Sequence, residues 1–198
     1  IVELVDDKNP ADDMDGGSPL TIAAFIGSLE VYQLIAELSE DKSPSINDGR
    51  SSLHLASENG DLEVCKYIMD NLLDKNPPAV GGIGVGMTPY HYAAADGQLE
   101  VCKLFLETLT DKNPYNTQQD YTPLHLAALF GRLEVCKLIS ESIEDKNPVA
   151  IDGSLPLHCA AFRGHLEILR FFLQNGVDRR SMSNGETPIQ IAASHGHF

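Results

Sequence analysis

The sequence predicts an all-α solenoid of stacked helix-turn-helix units with hairpin-like loops, on three observations. The tetrapeptide Asp-Lys-Asn-Pro starts at Asp7, Asp74, Asp111 and Asp145, with Asp-Lys-Ser-Pro at Asp41, so successive starts lie 34, 33, 37 and 34 residues apart. A second marker keeps the same beat: Ser18-Pro19-Leu20-Thr21, Ser51-Ser52-Leu53-His54, Thr88-Pro89-Tyr90-His91, Thr122-Pro123-Leu124-His125, Leu155-Pro156-Leu157-His158 and Thr187-Pro188-Ile189-Gln190. Nine residues after the start of each comes a glycine (Gly27, Gly60, Gly97, Gly131, Gly164, Gly196), and after most of these Leu-Glu-Val or a relative, at Leu29, Leu62, Leu99, Leu133 and Leu166. Self-similarity at a fixed period of about 20–50 residues marks repeats that bury a shared core.

Each element has a local cause. Thr88 or Thr122 suits a helix N-cap, and the proline after it costs nothing at the first helical position, where its missing N–H has no partner to lose. A short first helix follows, for example Leu124 to Phe130, with Ala127 and Ala128 on the closely packed side. The glycine supplies the positive φ that ends a helix in a tight turn. The second helix runs from about Leu133 to Ile143, with Leu133, Val135, Cys136, Leu138 and Ile139 near helical spacing. The polar, Pro-containing stretch Asp145 to Ser154 is a loop or hairpin into the next cap. One unit alone cannot bury both helices; stacked units can.

The organisation expected is a single domain over 1–198. Residues 1–6 align with Ile35 to Glu40 as the tail of a preceding repeat. Repeats follow at about 7–40, 41–73, 74–110, 111–144 and 145–178, with a truncated sixth at 179–198. That register leads us to expect an excerpt from a longer array.

The run Thr122-Pro-Leu-His-Leu-Ala-Ala-Leu-Phe-Gly-Arg-Leu-Glu-Val closely resembles the ankyrin repeat, whose Thr-Pro-Leu-His-x-Ala signature at a period of 33 it meets. The resemblance extends over residues 7 to 198. The other copies depart from it mildly, with Thr21 and Gln190 in place of the histidine and Ser52 in place of the proline. It implies an ankyrin-repeat solenoid that binds another protein through its concave surface and has no catalytic role. The alternative is the recognition arm of a larger enzyme or channel whose chemistry lies outside these residues. It also implies a structural role for the repeat histidine, bonded to the loop of an adjoining unit. Asn9, Asn76, Asn113 and Asn147 occupy hairpin positions resembling those at which ankyrin asparagines are hydroxylated.

Composition narrows the partner. The 198 residues carry 29 acidic against 14 basic side chains, a net charge of −15. Such a field repels nucleic-acid phosphates and anionic lipid and favours a partner with a basic surface. No apolar run approaches the roughly 18 residues that cross a bilayer, so no membrane insertion is expected. The four cysteines, Cys65, Cys102, Cys136 and Cys159, form no CxxC pair and read as reduced intracellular thiols, in the cytoplasm or alternatively the nucleus. Nothing in the sequence sets an oligomeric state.

The chemical-looking residues reduce to structure, and no cofactor, metal site or catalytic group is expected. Histidines 54, 91, 125 and 158 recur one repeat apart, too far for a metal without extra ligands. Cys65, Cys102 and Cys136 share one apolar position of the second helix, which suits a small buried hydrophobe. Cys159 and His158 diverge by about 100° on a helix, so they do not form a nucleophile pair. Gly81 to Gly86 resembles a phosphate loop but lacks the Lys-Ser/Thr ending, and it falls where repeat three is enlarged, as a flexible hairpin tip. Glu30, Glu63, Glu100, Glu134 and Glu167 complement the dipole in the first turn of each second helix.

Because framework positions are shared, specificity is expected where the copies differ, on first helices and hairpin tips. The partner-binding candidates there are Phe25, Glu58, Asn59, Asp96, Tyr115, Asp120, Tyr121, Leu129, Phe130, Asp152, Phe162 and Arg163. Tyr115, Tyr121, Phe130 and Phe162 have the chemistry of interface anchors, and Asp96, Asp120 and Asp152 suit a partner's Lys or Arg.

Overall fold

A computed structural model describes residues 16–41 and 44–197. The 1–6 segment, the first Asp-Lys-Asn-Pro motif and Asn9 lie outside the described residues. Among the described residues the regular structure is eleven α-helices, with two isolated β-bridges, Ser45–Ser51 and Ser183–Glu186, closing hairpin tips. The chain divides into two compact units, Ile1–Pro89 and Tyr90–Phe198.

The first unit holds α1 (Pro19–Ile26), α2 (Leu29–Leu38), α3 (Ser52–Asn59) and α4 (Leu62–Asn71). First helix packs on first helix, α1 on α3, and second on second, α2 on α4. In α4 the buried residues are Val64, Cys65, Ile68 and Met69, an i, i+1, i+4, i+5 stripe. That spacing puts one apolar face toward the stack and leaves Glu63 and Lys66 outside. The enlarged loop of repeat three is a closed hairpin: Ala79 N–H donates to Met87 O at 2.8 Å and Gly86 N–H to Ala79 O at 2.9 Å. Its extra residues form a 3₁₀ turn at Gly82–Gly84. This loop lies against the tip before it so closely that a Cβ on Gly49 would stand 2.2 Å from Gly81 N.

The second unit holds α5 (Pro89–Asp96), α6 (Leu99–Thr108), α7 (Pro123–Leu129), α8 (Leu133–Ser142), α9 (Pro156–Arg163), α10 (Leu166–Gln174) and α11 (Pro188–Ser194). Here too α7, α9 and α11 pack in series, and α6, α8 and α10 likewise. α7 is buried from Pro123 through Ala128, with small Ala127 and Ala128 permitting close approach. Thr122 caps α7 in extended conformation, with its hydroxyl 3.0 Å from His125 Nδ1. Helices α7 and α8 end one residue before the boundaries read from the sequence, at Leu129 and Ser142. All six repeat glycines hold the expected positive φ, from 72° at Gly164 to 85° at Gly60.

Candidate interaction surface

The buried polar groups come first, because what they are already bonded to decides what chemistry is left. At His125, Nδ1 accepts the Thr122 backbone N–H at 3.1 Å, so the ring proton sits on Nε2 and donates to Ser154 O in the next tip at 3.1 Å. His54 repeats this with Ser51 N–H at 3.1 Å and Met87 O at 3.2 Å, and His158 with Leu155 N–H at 3.0 Å and Ser181 O at 3.1 Å. His91 reaches Tyr121 O at 3.0 Å. The rings of His54, His125 and His158 thus join their own helix caps to the following loop, and all four rings make the loop bond that the resemblance implies. Burial lowers His54 and His125 from 6.5 to about 4 and lowers His158 as well, with the backbone carbonyl each one meets opposing the shift.

All four cysteines are buried free thiols. Burial pushes Cys65 and Cys159 up to about 12 and raises Cys102 and Cys136 further. Buried, protonated thiols suit packing, which is what the shared apolar position implies for Cys65, Cys102 and Cys136. Four of the five first-turn glutamates pair with the base three residues on: Glu63–Lys66 at 2.8 Å, Glu100–Lys103 at 2.6 Å, Glu134–Lys137 at 2.7 Å and Glu167–Arg170 at 3.6 Å, whereas Glu30 meets Gln33 at that spacing. Among the described residues no group of three or more His, Cys, Asp or Glu is arranged to hold a metal ion.

A second tie between repeats was not foreseen. The residue after the repeat glycine reaches back to the last-turn carbonyl of the preceding first helix. Arg132 Nε donates to Ala95 O at 2.8 Å, His165 Nε2 to Leu129 O at 3.0 Å and His197 Nε2 to Phe162 O at 3.1 Å. Repeat two has Asp61 at this position, which cannot donate, and Asn59 Nδ2 donates to Phe25 O instead. The side chain lies where a Cβ on the preceding repeat's glycine would be, 2.9 Å from it for Gly97 and Arg132 and 2.7 Å for Gly131 and His165. The glycine is therefore needed twice, for its backbone and for the room it leaves. The only signal in the sequence was a donor recurring after the glycine in the last three copies, which is easily read as surface variation.

The candidate residues fall into separate places. In the first unit the Phe25 ring is exposed while its carbonyl is bonded, and Glu58 is held by Arg50, which also binds Asp48 at 2.7 Å. In the second unit Asp96 lies 3.9 Å from Arg132, and burial raises its carboxyl while that guanidinium partly offsets the rise. Tyr115 lines a polar depression of about 480 Å³ with Asp111, Glu144 and Asp145. Asp120 turns its tip at φ 54°.

Five candidates meet in one cleft of about 350 Å³: Tyr121, Leu129, Asp152, Phe162 and Arg163, joined there by Glu186, Ile191 and His195. Phe130 is 46% exposed and does not line it. The Tyr121 ring lies parallel to His125, with centroids 5.2 Å apart. Burial pushes its hydroxyl up to about 12. Phe162 is tilted against His195 at 4.4 Å and carries the Arg163 guanidinium 5.5 Å above its ring. Asp152 accepts the Ser154 N–H at 2.8 Å and so is fixed at the rim. His158 and Cys159 also border the cleft, but both nitrogens of the first are bonded and the second is a buried thiol that burial holds protonated.

Buried ionisable groups that bond only to the framework, beneath exposed aromatic and charged side chains, define a helical-repeat scaffold that presents a surface. The family follows from the comparisons. The chain belongs to the ankyrin repeat family: the family described as ankyrin repeats (3 copies) matches residues 1–80 and 71–150, and that described as ankyrin repeats (many copies) matches residues 152–198. Ankyrin repeats are in general non-catalytic protein–protein interaction modules. No curated protein matches the chain. No helix among the described residues is long and apolar enough to cross a membrane.

Proposed function

We propose that this chain is a non-catalytic interaction module that holds a partner protein on the first-helix and hairpin-tip surface of residues 90–198, the side that is concave in ankyrin-like scaffolds. One observation carries the reading: Tyr121, Leu129, Phe162 and Ile191 bring apolar and aromatic surface together with Asp152, Glu186 and Arg163 in a single cleft. A few aromatic and arginine anchors in a recess are what concentrate binding energy at interfaces. The volume admits one or two large side chains, which suits a protruding segment of a partner. The overall acidity of the chain favours a partner segment with net positive charge.

Replacing Phe130 and Phe162 together by serine tests the placement. Both rings are nearly half exposed, so the helical circular dichroism should persist. Proteins retained by the wild-type chain in an affinity purification, quantified by mass spectrometry, should fall at least about tenfold with the double variant, the loss of roughly 1.4 kcal/mol or more. An unchanged set of retained proteins rejects the surface.

A further inference from the structure

The charges at the cleft say more about its occupant, on the reading that the cleft is a binding site. Asp152, Glu186 and Arg163 line the same recess, yet none of the three lies within 4.0 Å of an opposite charge among the described residues. Some charged side chains elsewhere on this chain do pair. Four of the five first-turn glutamates of the second helices have a base, and Arg50 holds two carboxylates. Here the geometry keeps them apart. Asp152 is tied down by the Ser154 N–H, and Arg163 lies over the Phe162 ring, an arrangement that holds a guanidinium by cation–π attraction without neutralising it. Leu129, Phe162 and Tyr121 add apolar and aromatic surface to the same recess.

We propose that the cleft recognises a short linear peptide segment of mixed charge. A large apolar residue enters between Tyr121 and Phe162, a lysine or arginine on one side of it meets Asp152 and Glu186, and an aspartate or glutamate on the other meets Arg163. A segment with only basic residues satisfies the carboxylates and leaves its charge facing Arg163. A purely apolar one leaves all three charges unmatched. Opposed charges at the rim thus fix the direction in which the segment lies as well as its composition, since rim electrostatics set orientation and discrimination more than affinity.

The test uses the whole chain and a phage-displayed library of random 12-residue peptides, with counter-selection against Phe162→Ser. Peptides that depend on Phe162 should share a large apolar residue with a base within a few positions on one side and an acid on the other. A synthetic peptide of that consensus should bind the Asp152→Asn/Glu186→Gln variant about three- to tenfold more weakly, the range of a partly exposed charge pair. The Asp152→Asn change keeps an amide oxygen to accept the Ser154 N–H, so the tip is retained. Arg163→Glu should weaken the consensus peptide similarly, and changing the peptide's acid to lysine should restore binding to Arg163→Glu but not to wild type. Phe162-dependent peptides with no charge pattern, or no reciprocal rescue at Arg163, overturn the mixed-charge proposal while leaving the cleft a binding site. If no enriched peptide depends on Phe162, the cleft itself falls, and this proposal with it.

Discussion

At the scale of single residues, the repeat histidine does two jobs that its sequence position only half reveals. Nδ1 closes the cap of its own helix and Nε2–H reaches the next loop, which requires the neutral ring. Protonation would place a hydrogen on Nδ1 and turn it against the Thr122 N–H. The pH dependence follows from this. With a folded value near 4 and an ordinary value of 6.5, His54 and His125 take up protons in the unfolded chain before the folded one. Between those values the unfolded state binds more protons, so stability falls as pH drops from 6.5 toward 4. Repeat six shows how to separate capping from titration. There Gln190 Oε1 accepts the Thr187 N–H at 2.9 Å and hydroxyl at 2.8 Å, with no titratable ring. His125→Gln should therefore keep the cap, lose the bridge to Ser154 and cost about 1 kcal/mol at pH 7. Comparing thermal midpoints of the two proteins at pH 7 and pH 4.5 cancels the carboxylates they share. The deficit of the variant should shrink or reverse at the lower pH; a constant deficit would show that His125 titrates normally.

At the scale of elements, the helices were legible and the ties between them were not. Proline after Thr122, the alanines of α7 and the Val-Cys stripe of α8 are local signals, since capping and periodic burial act within a few residues. The bond from Arg132 to Ala95 joins residues 37 apart, and nothing near Arg132 says that a carbonyl of the previous repeat lies beneath it. The cleft is non-local in the same way. Tyr121 and Phe162 could be picked as anchors because repeats differ there, but the part played by Glu186 and Ile191 depends on which tip stacks beside which helix. The tie at Arg132 is open to measurement. Arg132→Met keeps most of the aliphatic stem over Gly97 and removes the donor, leaving the Ala95 carbonyl at the end of α5 without it. A bond from a charged donor is worth roughly 1.5–3 kcal/mol when buried; the Arg132 side chain is 40% exposed, so about 1 kcal/mol is expected after screening. Lys137→Met, which removes only an exposed pair with Glu134, should cost under about 0.5 kcal/mol. Urea midpoints for the two variants decide it, and equal midpoints would reduce the tie to a surface contact.

At the scale of the whole molecule the governing quantity is charge, and it is unevenly spread. Residues 1–89 carry 16 acidic against 5 basic side chains, a net of −11, whereas residues 90–198 carry 13 against 9, a net of −4. Two effects of salt on folding then compete. Screening weakens the exposed pairs of α4, α6, α8 and α10, each worth about 0.5 kcal/mol or less. It also weakens repulsion among the surplus carboxylates, which acts over every pair within a Debye length, about 30 Å at 0.01 M and about 3 Å at 1 M. The pairs are few and already close, so salt takes little from them; the repulsion is long-ranged and cumulative, so salt removes most of it. The thermal midpoint should therefore rise on going from 0.01 M to 0.5 M sodium chloride at pH 7. Chloride is the salt to use, because sulfate would strengthen apolar burial and mimic the effect. A midpoint that falls with chloride would mean that the second-helix ion pairs, and not the excess of carboxylates, dominate the electrostatics of the folded chain.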